Sequence, residues 1–352
     1  YTAAGGLRAV VYTDVIQTVV LLVGSTILTI IVFGRYDYSW AAATAAVPEG
    51  HLSLIRPLGD DSLPWLGTLI GVPILGFWYW ATNQYITQRV LGAYSVRDAQ
   101  WGANLGGLLK LLPLFIMVLP GAMAIELFPD LENGDQVFPT LIAELLPVGV
   151  TGLVLAGLVA AIMSSIDSTL NSASTLIIHD FVTTPDRQPT DRELAQWGRL
   201  TTLGLMIVAA VWAPQIANFG GLFSYLQQAF SILVPPVAAV FLLGVFQPRG
   251  AGNACFWTLV IGHVVGVALF VATQTDLWSV HFTINVGIMT AFSAAVYLAI
   301  ASREALHAPE RLERLTYRRG DADESDLSRL ARPKAQGVAI LALTALMVAA
   351  FW

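Results

Sequence analysis

Nine stretches of the chain are predominantly apolar and near the roughly 20 residues that cross a hydrocarbon core of ~30 Å. They run over 7–33, 64–86, 104–127, 150–178, 196–216, 222–246, 252–273, 279–301 and 335–352. Several are longer than one straight crossing needs, which admits tilt or a broken helix. The pattern predicts an all-α integral membrane protein with about nine transmembrane helices.

The polar positions between these stretches alternate in sign. Arg8 opens the first, Arg89 and Arg97 follow the second, and Arg187, Arg192 and Arg199 lie around the start of the fifth. Arg249 follows the sixth, and eight Arg and Lys positions from Arg303 to Lys334 precede the ninth. All fall on one side if nine helices alternate. The opposite side has Arg35 and Arg56 and collects Asp37, Glu49, Asp60, Asp61, Glu126, Asp130, Glu132, Asp135 and Asp276. The positive-inside rule makes the Arg-rich side cytoplasmic. The N-terminal edge is then cytoplasmic and the C-terminus extracytoplasmic. The charged stretch 302–334 reads as a solvated cytoplasmic linker, which leaves 335–352 as a terminal transmembrane helix.

The fourth stretch changes character halfway. Its first half is apolar; its second holds Ser164, Ser165, Asp167, Ser168, Asn171, Ser172, Ser174 and Thr175. At helical spacing Gly157, Ala161, Ser164, Ser165, Ser168 and Ser172 share one small-residue face, with Asp167, Asn171 and Ser174 on its flank. Such a face lets a second helix approach closely, with its hydroxyls bonded back to their own helix. The same oxygens are hard donors suited to a hard cation such as sodium. Asp167 favours the second reading, because a carboxylate at the bilayer centre costs about 2.5–3.5 kcal/mol even on the mildest scale.

Two more charges sit at membrane depth. Asp14 is either an interfacial residue or a way station for a cation moving inward. Lys110 either snorkels to the surface or meets a polar partner such as a polyol hydroxyl. In the second stretch Trp78, Tyr79 and Trp80 precede Thr82, Asn83 and Gln84. Aromatic faces beside amides suit a sugar, which offers an apolar C–H face and a rim of hydroxyls. An interfacial aromatic belt is the competing account. In the sixth stretch Gln227 lies one turn after Phe223, and Pro235 and Pro236 then remove two backbone donors. The sequence predicts a broken helix there, of the kind that borders a cavity.

Composition adds three limits. The chain has 352 residues, 56% hydrophobic and 12% charged, with a formal charge of −6, whereas soluble domains are about 25% charged. One cysteine, Cys255, excludes an internal disulfide and a thiolate cluster. No phosphate loop, paired metal-spaced histidines or nucleophile elbow occurs, so no enzyme and no nucleic-acid partner is expected. The chain opens on Tyr1 without a signal-peptide pattern and reads as a piece of a longer protein.

The stretches 5–18, 77–89, 108–113, 160–175 and 235–244 together resemble the solute:sodium symporters, and within them the sodium–glucose and sodium–myo-inositol group. The resemblance covers almost the whole chain. It implies a LeuT-like inverted-repeat bundle of five plus five helices. Residues 1–301 would supply the last helix of the first repeat, the whole second repeat and two peripheral helices; the first four core helices would be absent. It implies a main sodium site using the Ala161 carbonyl and the Ser164 and Ser165 hydroxyls, completed by residues outside this chain. A second sodium would sit on Asp167 and Ser168 with Asp14 nearby. For the solute it implies Lys110 and Gln227 as hydroxyl partners, Tyr79 as an inner gate with Trp80 beside it, and Phe223 in an outer gate. Gly76 stands where the group's sugar transporters often have Asn or Thr.

The expected activity is sodium-coupled symport of a sugar or polyol of the glucose, galactose or myo-inositol class by alternating access, in the cell membrane and as a monomer. The expected partners are sodium, the solute and the lipid bilayer. Two alternatives stay open: a sodium symporter for an amino acid, sialic acid or another organic anion, and a sensor that binds solute without moving it.

Overall fold

Inside hydrocarbon every backbone N–H and C=O must be satisfied within its own segment, so long apolar runs become helices. The computed structural model describes residues 2–48, 50–61, 63–131, 134–183, 189–219, 222–249, 252–308, 310, 312 and 332–351, with backbone alone at 2–8, 217–219, 223 and 224. Among these residues eight helices are long and apolar enough to cross a membrane: Ala9–Gly34, Val96–Leu127, Val148–Val182, Asp191–Ile216, Tyr225–Phe246, Gly252–Gln274, Phe282–Ala301 and Pro333–Ala350. The remaining expected span, 64–86, forms a shorter helix whose aromatic and polar tail dilutes its apolarity. Most of the expected linker over 302–334 lies outside the described residues.

The chain divides into two units. The first comprises Tyr1–Leu52, Gln88–Gly221 and Pro333–Phe351. Its main pair is α1 (Thr2–Gly34) with α8 (Val148–Ile177). Three contacts fix them as antiparallel: Ser164 meets Asp14, Gly157 faces Val20 and Leu21, and Val154 faces Gly24. A Cβ at Gly157 would stand 3.2 Å from the Val20 carbonyl oxygen, and one at Gly24 3.3 Å from the Val154 Cα. Backbones approach this closely only where side chains are missing. Beyond them Leu28, Val32, Met123, Leu141 and Ile142 form a buried core. There α2 (Trp40–Ala45), α6 (Leu119–Leu127) and α7 (Val137–Leu145) close on α1. Tyr36 Oη donates to the Met123 carbonyl at 3.0 Å; burial first, and Glu126 second, push its pKa up to about 12.

The span from Val96 to Leu127 is broken rather than straight. α5 (Val96–Leu109) starts on Ser95, whose hydroxyl accepts from the Asp98 N–H, and ends at Lys110. A turn and a widened π-helical stretch, Leu114–Val118, follow before α6. Pro113 and Pro120 frame this stretch, each lacking a backbone donor. α13 (Pro333–Ala350) is tied to α5, since Asn104 Nδ2 donates to the Pro333 carbonyl at 2.8 Å and to Gln336 Oε1 at 3.3 Å. α9 (Asp191–Trp212) begins with a reciprocal cap between Thr190 and Glu193.

The second unit comprises Ser53–Thr87 and Leu222–Arg332, with Trp352. In it α3 (Trp65–Phe77) lies on α12 (Phe282–Ala301) through Gly67 and Gly71, both facing Thr283. α10 (Leu222–Phe246) and α11 (Gly252–Gln274) complete the group. The break expected at Pro235 and Pro236 does not occur, because α10 runs continuously through both. Both prolines are buried, and a Cβ on Gly262 of α11 would stand 2.6 Å from Pro236 Cγ. That glycine leaves room for the Pro236 ring, and two carbonyls of α10 lose their usual donors.

Candidate functional site

The register of α1 and α8 brings Asp14, Ser164 and Ser168 together across 150 residues of sequence. Ser164 Oγ donates to Asp14 Oδ1 at 2.6 Å. The second carboxylate oxygen, Oδ2, accepts from Arg89 Nη2 at 2.5 Å. The same guanidinium nitrogen donates to Ser168 Oγ, which in turn donates to the Ser164 carbonyl at 2.7 Å. Ser168 is 1% exposed, and the Asp14 and Arg89 side chains are 17% and 27% exposed. Both carboxylate oxygens are therefore engaged, one by a hydroxyl and one by a charge-assisted bond.

Arg89 comes from α4 (Gln84–Leu91), a short helix that follows α3. The residue before it, Gln88, is also buried, and Gln88 Oε1 accepts from Asn171 Nδ2 of α8 at 3.2 Å. Two neighbouring side chains thus tie α4 to the polar half of α8. The sequence counts Arg89 among the cytoplasmic positive charges and assigns it no contact. One signal pointed to the pair: on the topology read from the loops, Asp14 and Arg89 lie at the cytoplasmic ends of their segments.

The other oxygens expected to hold sodium are placed differently. Ser165 is exposed, and its hydroxyl donates to the Ala161 carbonyl at 3.1 Å. A hydroxyl that donates one bond keeps lone pairs, as does a carbonyl that accepts one. The Ala161 carbonyl, Ser164 Oγ and Ser165 Oγ therefore retain acceptor capacity for a hard cation, and the donor set fits sodium. Asp167 is half-buried on the flank of α8 and makes no hydrogen bond to Asp14 or Ser168 among the described residues. Of the expected second group, the structure joins Asp14 to Ser168 through Arg89 and leaves Asp167 apart.

The aromatic residues follow directly on α3. Trp78–Thr82 form a widened π-helical turn, closed where the Asn83 N–H donates to the Trp78 carbonyl at 3.0 Å. Such turns insert one extra residue and recur at functional sites. Tyr79 is packed edge-on to Trp80 at 5.5 Å and to Tyr85 at 5.8 Å between ring centroids, and the Tyr85 hydroxyl donates to the Tyr79 hydroxyl at 2.6 Å. Trp78 packs on Phe230 of α10 at 5.1 Å. Two rings are thus fixed by neighbours, while Trp80 stays exposed.

Among the remaining expected solute residues, Gln227 is half-buried on α10, one turn from Phe230 on the next winding, and no hydrogen bond engages it among the described residues. A Cβ at Gly76 would meet nothing within 4 Å, so that position is open. Lys110 lies in the first unit, exposed at the end of α5 where the long span breaks. The Phe223 side chain lies outside the described residues.

A bundle of long apolar helices with broken spans and a buried oxygen-lined seam belongs to a membrane transporter. The model of the sodium:solute symporter family matches residues 1–262, and the chain belongs to that family, which is one of symporters and not of enzymes. It is 34% identical over 367 residues to a sodium/glucose cotransporter 4 of Danio rerio, covering 90% of this chain and 56% of that protein. It is 38% identical over 307 residues to a human sodium/myo-inositol cotransporter 2, covering 77% of this chain and 45% of that protein. The chain thus spans about half the length of the curated relatives it matches. A solved sodium-coupled sialic acid symporter, substrate-bound and outward-open, superposes with a TM-score of 0.71 at 20% identity, covering 87% of this chain and 65% of that one. That likeness carries the fold, which is LeuT-like and mainly helical, with no sheet among the described residues.

Proposed function

We propose that this protein couples sodium entry to the uptake of a sugar or polyol of the glucose, galactose or myo-inositol class, by alternating access in the cell membrane. The observation that carries the reading is the carboxylate of Asp14 held between α1 and α8 against Ser164, on a helix whose polar half offers a row of hydroxyls. A carboxylate held within an apolar helix marks an ion path by default. The names of the sugar and inositol cotransporters that the chain resembles point the same way.

In this reading sodium is cargo. Ala161, Ser164 and Ser165 take one ion, and Asp14, Ser168 and Asp167 take a second. Tyr79 covers the solute from the inner side with Trp80 beside it, Phe223 covers it from the outer side, and Gly76 leaves room along the wall. Lys110 donates to solute hydroxyls, and Gln227 both donates and accepts, as a polyol requires. Coupling is reciprocal: sodium must raise solute affinity by the factor by which solute raises sodium affinity. The Arg-rich loops face the cytoplasm.

The test is uptake of labelled glucose, galactose and myo-inositol by the full-length protein in proteoliposomes, each challenged with unlabelled sugars and with sialic acid. Inhibition by neutral sugars or polyols with sodium present is the expected result. Inhibition by sialic acid alone would move the substrate to the organic anions. Solute-evoked current without net uptake would make the protein a sensor. A charge-to-solute ratio of one, unchanged by Asp167→Ala, would remove the second sodium.

A further inference from the structure

The seam at Asp14 already contains a cation, and the protein supplies it. Arg89 Nη2 donates to Asp14 Oδ2 at 2.5 Å and to Ser168 Oγ. These are two of the oxygens that the proposed second sodium site uses. A guanidinium stays charged at any working pH. Arg89 and a sodium ion therefore compete for the same carboxylate, since two cations on one carboxylate repel at contact distance. Three features suit Arg89 to leaving and returning. Its side chain is 27% exposed, against 17% for Asp14, so it is the less enclosed of the two charges. The neighbouring Gln88 holds α4 to α8 through Asn171, so the helix keeps its place when the guanidinium swings away. Ser164 keeps its own bond to Asp14 Oδ1, so the carboxylate stays oriented for the ion that arrives.

We infer that Arg89 is a tethered counter-cation, which occupies the Asp14–Ser168 site when the transported cation is absent and must be displaced for that cation to bind. The inference rests on the proposed transport function. Its physical basis is that a carboxylate at membrane depth is costly without a partner. Arg89 is that partner in the empty state, and exchange with sodium keeps the local charge constant. A competitor lowers apparent affinity by the fraction of time it holds the site.

The experiment measures cation binding without solute on the purified full-length protein, from intrinsic tryptophan fluorescence during titration with LiCl, NaCl or KCl at constant ionic strength. Arg89→Gln is expected to lower the half-saturating sodium concentration by about tenfold, the size expected when the competitor holds the site some nine-tenths of the time. Arg89→Lys keeps a cation on the tether and is expected to stay within about threefold of the wild type. Asp14→Asn combined with Arg89→Gln is expected to abolish the gain.

Weaker sodium binding in Arg89→Gln at an unchanged melting midpoint would overturn the inference and make Arg89 a positioning residue for the site. So would a failure of every cation to bind that variant more tightly than the wild type, whether or not uptake is sodium-driven. A gain for lithium or potassium alone, with no sodium-driven uptake, would leave the inference standing and remove the sodium-symport reading. Should Arg89→Gln fail to fold, the wild type decides through modification by phenylglyoxal, followed at the Arg89 peptide by mass spectrometry. Several-fold faster modification is expected when sodium replaces choline; an equal or slower rate would overturn the inference.

Discussion

In the first unit Gly157 and Gly24 bring α8 onto the backbone of α1, and in the second Gly67 and Gly71 bring α3 onto Thr283 of α12. The packing device is the same, a missing side chain that lets one helix lie against another. What each seam presents is different. The α1–α8 pair holds a carboxylate, a guanidinium and two serine hydroxyls joined at hydrogen-bond distance. The α3 helix ends in neutral rings on a widened turn, with Trp80 exposed and open space at Gly76. A charge at membrane depth is tolerable only with its partners in place, so the seam around it is tight. The aromatic turn carries no charge, so it can leave the face of Trp80 exposed.

Changes that break this contrast should act most strongly on packing. Gly71→Ala puts a Cβ into the Thr283 carbonyl, and overpacking against backbone costs about 3 kcal/mol. A fall of the melting midpoint of the detergent-solubilised protein, with loss of all uptake, is the expected result; an unchanged midpoint would mean that α3 and α12 do not meet there. Asp14→Ala comes next. It removes the carboxylate from Arg89 and frees Ser164, and the partial exposure of both charges discounts the usual buried-pair loss to about 2 kcal/mol. Sodium-driven uptake should vanish while solute binding, followed by tryptophan fluorescence, persists.

On the aromatic side the effects should be smaller and fall on the solute. Tyr79→Phe removes the acceptor for the Tyr85 hydroxyl, a loss of about 1 kcal/mol. Solute affinity should weaken several-fold with sodium binding in the absence of solute unchanged; an equal shift in both would mean that the two regions are not functionally separate. Gly76→Asn should change stability by less than about 0.5 kcal/mol, because the position is open. It should alter the ranking of competing sugars in the uptake assay, since the new amide can bond a hydroxyl that glycine cannot.

Much of this contrast was legible along the chain, and for a physical reason. Helical period alone placed Gly157, Ser164 and Ser168 on one face, and α1 packs on that face. The apolar runs located the spans because no other regular structure satisfies its backbone in hydrocarbon apart from a closed barrel. The pairing of Arg89 with Asp14 was legible only as far as the shared cytoplasmic ends of their segments, because a positive charge at the end of a span is normally a topology marker. The unbroken course of α10 was not legible either. Two prolines predict a break, yet the helix continues through both, with Gly262 of another helix leaving room for the Pro236 ring. The widened turn at Trp78–Thr82 leaves no local mark, since it is one inserted residue in a helical pattern.

The most direct test of the account is accumulation of a labelled sugar or polyol by proteoliposomes of the full-length protein, with sodium, potassium or choline outside at equal ionic strength. Concentrative uptake under sodium alone, collapsing when the sodium gradient is dissipated, is the predicted result. Equal accumulation in potassium or choline, with no proton gradient driving it, would contradict the account.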